Sequence, residues 1–190
     1  AGKIVELKAG EANTVEFENH PYPYLVIYKL GYDGQPLPGV SFKIINEAGR
    51  ELGTYTTNSA GRIVLTGIDE GHYVVQEVKA AEGYELDATP YDVYLQWGKT
   101  TQIKLKNKEL GSLSLVKVSA ENEKQVLPGA SFLLYDEKDN LIGEYTTDEN
   151  GEILLDHALK AGLYTLKEIK APDGFVLDEQ TQKVEIKNGA

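Results

Sequence analysis

The sequence predicts an all-β protein made of two tandem antiparallel β-sandwiches. Three observations carry that prediction. A series of motifs recurs about 90 residues later in the same order. Short segments alternate apolar and polar residues, as half-buried strands do. Turn pairs punctuate them: Asp33-Gly34, Pro38-Gly39, Ala48-Gly49, Asp139-Asn140, Asn150-Gly151 and Asn188-Gly189. Tyr is abundant, at 12 of 190 residues, and β-branched residues fill the runs, which suits a pleated surface. Seven or so short strands in roughly 90 residues is the density of a sandwich. No segment carries a sustained helical stripe, and Asp156 to Ala161 is expected to form a single helical turn.

The repeat sets the domain boundaries. Leu37-Pro38-Gly39-Val40-Ser41-Phe42 returns as Leu127-Pro128-Gly129-Ala130-Ser131-Phe132, and Tyr55-Thr56-Thr57 with Gly61 returns as Tyr145-Thr146-Thr147 with Gly151. Gly71-His72-Tyr73 through Glu77 matches Gly162-Leu163-Tyr164 through Glu168. Gly83-Tyr84-Glu85-Leu86-Asp87 matches Gly174-Phe175-Val176-Leu177-Asp178. The start of the chain joins the series: Val15-Glu16-Phe17-Glu18-Asn19 repeats as Ile103-Lys104-Leu105-Lys106-Asn107, 88 residues on. Residues 1–20 therefore read as the last hairpin of a preceding repeat, 21–109 as domain 1 and 110–190 as domain 2. Aligned without gaps from Asp87 and Asp178, Gly189 falls on the hairpin turn at Gly98, so domain 2 is expected to lack its final strand within these residues.

Composition narrows the function. A chain of 190 residues, 41% apolar, suffices for two ordinary cores. The net charge of −11 disfavours binding to nucleic acid or to an anionic membrane. No apolar run approaches the roughly 18 residues of a membrane span. No basic segment followed by an apolar one opens the chain, and an Ala-Gly start without Met is expected of a mature or excised fragment. The absence of Cys removes disulfides, thiolate nucleophiles and Cys-ligated zinc. His20, His72 and His157 lack metal-ligand spacing, and Asp148-Glu149-Asn150-Gly151-Glu152 reads as a solvated turn, not a calcium loop. Ser41 and Ser131 sit in Leu-Pro-Gly-x-Ser, which is no nucleophile elbow. No phosphate-binding Gly loop is present. No cofactor or metal is expected, and no enzymatic activity on an external substrate.

Strand parity points to a different chemistry. Residues i, i+2 and i+4 of a strand share a face. Leu25 and Ile27 share theirs with Lys29, and Leu113 and Leu115 with Lys117. Tyr73 and Val75 share theirs with Glu77, and Tyr164 and Leu166 with Glu168. Ile103 and Leu105 share theirs with Asn107, and Val15 and Phe17 with Asn19. Lone residues of this kind are ordinarily strand-end polarity or snorkelling lysines. A trio repeated in the same order asks for more, because unpaired burial of charge costs several kcal/mol. Apolar burial favours a neutral amine, which is a nucleophile, and a protonated carboxylic acid, which activates an amide carbonyl and shuttles protons. Held in attack geometry, such groups form a Lys–Asn isopeptide cross-link without an external enzyme.

The order of a Lys in the first strand, Gly-x-Tyr-x-x-x-Glu, Gly-Tyr-x-Leu-Asp and a terminal Asn resembles the Cna B-type (SpaA-like, prealbumin-like) domains of Gram-positive pilins and surface adhesins. The resemblance implies inverse-Ig sandwiches, an extracellular, cell-wall or pilus location, and intramolecular isopeptide bonds. Carried onto this chain, it makes Lys29 the amine, Asn107 the acceptor and Glu77 the catalytic acid, with Lys117 and Glu168 the counterparts in domain 2. For Lys117 two weaker acceptors exist. Asn188 follows Val184 and Ile186 in the right parity, although the ungapped alignment sets it opposite Trp97 in a tight Asn-Gly turn, the favoured reading. Asn19 of another chain would reach Lys117 by strand donation. The expected role is a stiff stalk segment whose partners are neighbouring repeats. The alternative is an adhesin recognising a host matrix protein or glycan, for which Trp97 with Tyr22-Pro23-Tyr24 would supply an aromatic patch; packing between strands is the favoured reading of those rings.

Overall fold

A computed structural model describes residues 9–10 and 16–188. Alternating apolar side chains, broken by the Gly and Pro turns, give thirteen strands and no helix among these residues. Domain 1 holds β1 (Tyr24–Gly31), β2 (Ser41–Asn46), β3 (Glu51–Thr56), β4 (Arg62–Leu65), β5 (Gly71–Lys79), β6 (Tyr91–Leu95) and β7 (Thr100–Asn107). Domain 2 holds β8 (Gly111–Val116), β9 (Ser131–Tyr135), β10 (Leu141–Thr146), β11 (Glu152–Leu159), β12 (Gly162–Lys170) and β13 (Thr181–Ile186).

In domain 1 a sheet of order β4-β1-β7 faces a sheet of order β3-β2-β5-β6. Leu25, Ile27 and Leu105 from the first pack against Phe42, Ile44 and Val75 from the second, one continuous core of inward-facing alternate residues. The strands pair antiparallel with one exception among those described: β1 lies parallel to β7, with Lys29 beside Leu105 and Gly31 beside Asn107. This brings the first and last strands of the domain side by side with their C-terminal ends together.

Domain 2 repeats the four-stranded sheet as β10-β9-β12-β13, with β13 on β12 as β6 lies on β5. Its other sheet is only β11-β8, and no described strand stands where β7 stands in domain 1. The consequence is visible in packing. Leu115 and Leu166 are half-buried where their counterparts Ile27 and Val75 are fully buried, and the apolar interior divides into two clusters. The helical turn expected over Asp156 to Ala161 is absent. β11 continues to Leu159 through an irregularity in which His157 takes a φ of 44° and its N–H donates to Ser112 Oγ at 2.9 Å. Of the N-terminal hairpin, residues 1–8 and 11–15 lie outside the described residues; Ala9-Gly10 forms a turn, and 16–20 are exposed and outside any strand.

The Leu-Pro-Gly loops are clamped by a buried threonine. Thr57 Oγ1 donates to the Leu37 carbonyl at 2.7 Å and accepts the Val40 N–H at 3.0 Å. Thr147 does the same for Leu127 and Ala130 at 2.9 and 3.0 Å. Thr57→Val keeps the shape and strands both backbone groups, so a loss of about 1–3 kcal/mol is expected, readable as a lower melting temperature.

Residues 108–110 join the two sandwiches. The Lys108 carbonyl accepts the Glu85 N–H, and the Leu110 N–H donates to the Gly83 carbonyl, both at 2.8 Å. Lys160 pairs with Glu85 at 2.8 Å across the same joint. These contacts tie the connection to the 83–85 loop instead of leaving it a free tether.

Candidate functional site

Lys29 is aimed inward by the alternation of β1 and fixed by its own backbone. Its N–H donates to the Gly61 carbonyl at 2.7 Å, and its carbonyl accepts the Leu37 N–H at 2.9 Å. Gly61 adopts a φ of +64°, and a Cβ there would stand 2.5 Å from the Lys29 carbonyl oxygen and 2.8 Å from the Leu37 nitrogen. Gly61→Ala is therefore expected to cost about 2–3 kcal/mol from backbone strain and crowding, measured by urea denaturation.

Glu77 on β5 and Asn107 at the end of β7 meet Lys29 between the sheets. Each of the three residues is 1% exposed. Lys29 Nζ donates to Asn107 Oδ1, and Asn107 Nδ2 donates to Glu77 Oε1 at 2.7 Å. Glu77 Oε2 lies 2.7 Å from Nζ as an ion pair, at angles outside those of a good hydrogen bond. The Phe42 ring, 5.7 Å from Nζ, closes the apolar side. The amine, the amide and the acid thus touch pairwise in a site from which water is excluded. A cavity of about 250 Å³ lined by Tyr32, Leu86, Asp87 and Asn107 opens beside the amide.

Asp87 and Tyr91 stand next to this cavity. Tyr91 Oη donates to Asp87 Oδ2 at 2.8 Å, and the Thr89 N–H donates to Oδ1 at 3.1 Å. The bonds from Thr89 and then Tyr91 hold the Asp87 carboxyl below its usual range, against a desolvation that pushes it up. The carboxylate in turn pushes the Tyr91 phenol up to about 12, with burial adding to the shift. Asp87→Asn removes the charge that opposes phenolate formation, so Tyr91 is expected to titrate back towards 10, followed by the NMR shift of its ring carbon.

In domain 2 the structure brings together two of the three groups. Lys117 Nζ lies 3.1 Å from Glu168 Oε2, and the Lys117 side chain is 22% exposed. Glu168 Oε2 also accepts the Asp178 N–H at 3.0 Å. Glu168 Oε1, the counterpart of the oxygen that receives the Asn107 amide, is buried without a hydrogen-bond partner among the described residues. Asn188 does not supply it. It is exposed in the turn after β13, and the preceding Lys187 carbonyl lies against Gly111, at the start of β8. Lys117 is six residues further along, roughly 20 Å at strand rise. The structure does not bring Asn188 to Lys117, because β13 runs away from the Lys117 end of the sandwich. Asn19 is exposed on the side of domain 1 where the Gly98 N–H meets the Pro21 carbonyl, and touches neither lysine. Trp97 and Tyr22 pack on one another there, centroids 5.7 Å apart.

Thr57, Thr147 and Gly61 support the site and were not singled out from the sequence as supports. The signal was present in the recurrence of Tyr-Thr-Thr-x-x-x-Gly. Their partners, the Lys29 carbonyl and the Leu-Pro-Gly backbone, are set by contacts between strands remote in sequence.

Seven- and six-stranded prealbumin-like sandwiches in tandem, with a buried Lys–Glu–Asn trio in the first, define the class of protein. A family model described as SpaA, prealbumin-like fold domain, matches residues 24–109 and again 111–190. The chain belongs to that family. It is 30% identical over 66 residues to the trypsin-resistant surface T6 protein of Streptococcus pyogenes serotype M6, an alignment covering 35% of this chain and 12% of that protein. Among solved structures it resembles a streptococcal ancillary pilin, with 22% identity, a TM-score of 0.57, and coverage of 90% of this chain and 60% of the other. It also resembles the shaft pilin SpaA of Lactobacillus rhamnosus GG, with 18% identity, a TM-score of 0.56, and coverage of 88% and 94%. These two likenesses are of fold.

Proposed function

We propose that this chain is a structural stalk segment of a pilin-like protein on a Gram-positive cell surface, and that domain 1 locks itself with a Lys29–Asn107 isopeptide bond assisted by Glu77. The observation that carries the reading is the buried triangle of Lys29, Glu77 and Asn107, each 1% exposed, with the amine at the amide and the acid at both. Family membership and the similarity to a streptococcal surface protein support the location. The chain acts on no external substrate; the reaction is its own.

The chemistry follows from the contacts. A proton crosses the 2.7 Å from Nζ to Glu77 Oε2, leaving a neutral amine and a neutral acid. A half-turn of the Asn107 amide about Cβ–Cγ exchanges its two ends, so that the carbonyl oxygen accepts from the Glu77 hydroxyl. The Nζ lone pair adds to Cγ, and Glu77 passes protons so that the amide nitrogen leaves as ammonia. One C–N bond forms and one breaks. Of the two hydrogens that the Lys29 ammonium loses, one ends on the departing ammonia and the other stays on Glu77, which is left as the neutral acid. The cavity beside Asn107 gives the ammonia a way out.

Intact mass under denaturing conditions tests this. The chain is expected to be lighter than its sequence by one ammonia, and peptide mapping is expected to join the Lys29 and Asn107 peptides. A full-weight chain would remove the covalent mechanism and leave a spacer with a buried polar trio.

A further inference from the structure

Ammonia must leave the domain 1 site, and the cavity that opens beside Asn107 carries a charge for which the reaction has no other use. We propose that the Asp87 carboxylate is a positioning residue for the Lys29–Asn107 reaction: across this cavity it draws the departing nitrogen away from Cγ and holds it, once water has protonated it, as ammonium. The inference rests on the chemistry assigned to the domain 1 trio.

Three observations carry it. The first is place. Asp87 and Asn107 line the same cavity of about 250 Å³. Asn107 is buried and Asp87 half-buried, so the cavity leads from the reacting amide past the carboxylate. The second is a charge without an ionic partner. Asp87 is in no ion pair among the described residues, although Glu85, Lys106 and Lys108 share the cavity wall. Glu85 is taken by Lys160 at 2.8 Å, and Lys106 Nζ lies over the Tyr32 ring, 5.7 Å from its centroid. The Asp87 oxygens accept from the Thr89 N–H and from Tyr91 Oη, which fixes the carboxylate without neutralising it. Besides those bonds, the charge of Lys29 helps to keep Asp87 ionised, so the carboxylate and the reacting amine sense one another. The third is recurrence. Asp178, in the matching Gly-x-x-Leu-Asp loop, lies beside Lys117 and Glu168. Its Oδ1 accepts the N–H two residues on, from Gln180 at 3.0 Å, as Asp87 accepts from Thr89 at 3.1 Å.

The charge acts on the leaving step. The Nζ–Cγ bond forms and the Cγ–Nδ2 bond breaks. The proton that completes the ammonia comes from Lys29 through Glu77. As it leaves the tetrahedral carbon, the nitrogen gains cationic character, and a fixed carboxylate on the exit side favours its departure. Ammonia that stayed at Cγ could add back to the new amide. In the cavity it takes a proton from water, with hydroxide released to solvent, and becomes ammonium. Ammonium has no lone pair with which to return, and it is the form that a carboxylate binds. Asp87 neither gains nor loses a proton and remains a carboxylate throughout. In a half-buried site one such charge is worth about tenfold in rate.

The test is the rate of bond formation in the full chain of 190 residues. The chain is made by pulse-labelled cell-free synthesis and chased at a temperature where the wild-type reaction is resolved. Samples are quenched in denaturant and weighed for the loss of one ammonia. Asp87→Asn keeps polar atoms for Thr89 and Tyr91 but removes the charge, and is expected to slow the reaction about tenfold. Asp87→Glu restores the charge and is expected to recover most of the wild-type rate. Asp92→Asn makes the same charge change at an exposed position of β6 and should leave the rate unaltered. A wild-type rate in Asp87→Asn overturns the inference. So does a slow Asp87→Glu or a slow Asp92→Asn, since the effect would then belong to loop structure or to overall charge. A wild-type chain that keeps its full weight defeats the reading of domain 1 itself, and this inference with it.

Discussion

Lys29→Ala is expected to turn domain 1 from an inextensible link into one that unravels under force. Because β1 and β7 lie parallel, tension enters at the N-terminal end of one and leaves at the C-terminal end of the other. The two strands are therefore loaded in shear, and the proposed bond from Lys29 to Asn107, which are 78 positions apart, would carry the load across before it reaches the residues between them. Without the bond those residues pay out at roughly 3.4 Å each, about 260 Å in all. Heat reads the same loss. By loop entropy, opening a cross-link of that span costs about 4–5 kcal/mol, which for a domain of this size is on the order of 20–30 °C in melting temperature. Single-molecule force traces of wild type and variant that show the same extension would contradict the cross-link.

Glu77→Ala should be worse than loss of the bond alone. Glu77 is the only carboxylate in contact with the buried Lys29 amine among the described residues. Truncating it blocks the reaction and also strands a charged amine in the apolar interior against Phe42. Removing one partner of a buried pair costs about 3–5 kcal/mol. The double variant Glu77→Ala, Lys29→Met also lacks the bond but buries no charge, so it is expected to melt above the single variant by the equivalent of about 3 kcal/mol. Both should keep their full mass. Coincident melting curves would show that Lys29 escapes to water once Glu77 is gone.

Much of this was legible in the sequence because it is local or repeated. The period of two in Leu25-x-Ile27-x-Lys29 places the lysine on the core face whatever the strand pairs with. The same holds for Glu77 after Tyr73 and Val75, and for Asn107 after Leu105. The ungapped match of Asp178 to Asp87 places Asn188 at a turn, where the structure has it. The same local reasoning failed at Asp156 to Ala161. There the irregular pairing of β11 with β8 holds the chain extended around His157, against its local preference.

By itself, then, the sequence determined the two-fold repeat, the all-β class and the inward aim of Lys29, Glu77 and Asn107, because these depend on neighbours two residues away or on comparison of the chain with itself. Only the tertiary structure decided that β1 lies parallel to β7, that the three side chains meet at one point, and that Gly61 and Leu37 grip the Lys29 backbone. Those are registers between segments tens of residues apart. They are fixed by which apolar faces close together and which backbone groups find partners, and no short stretch of sequence contains that information.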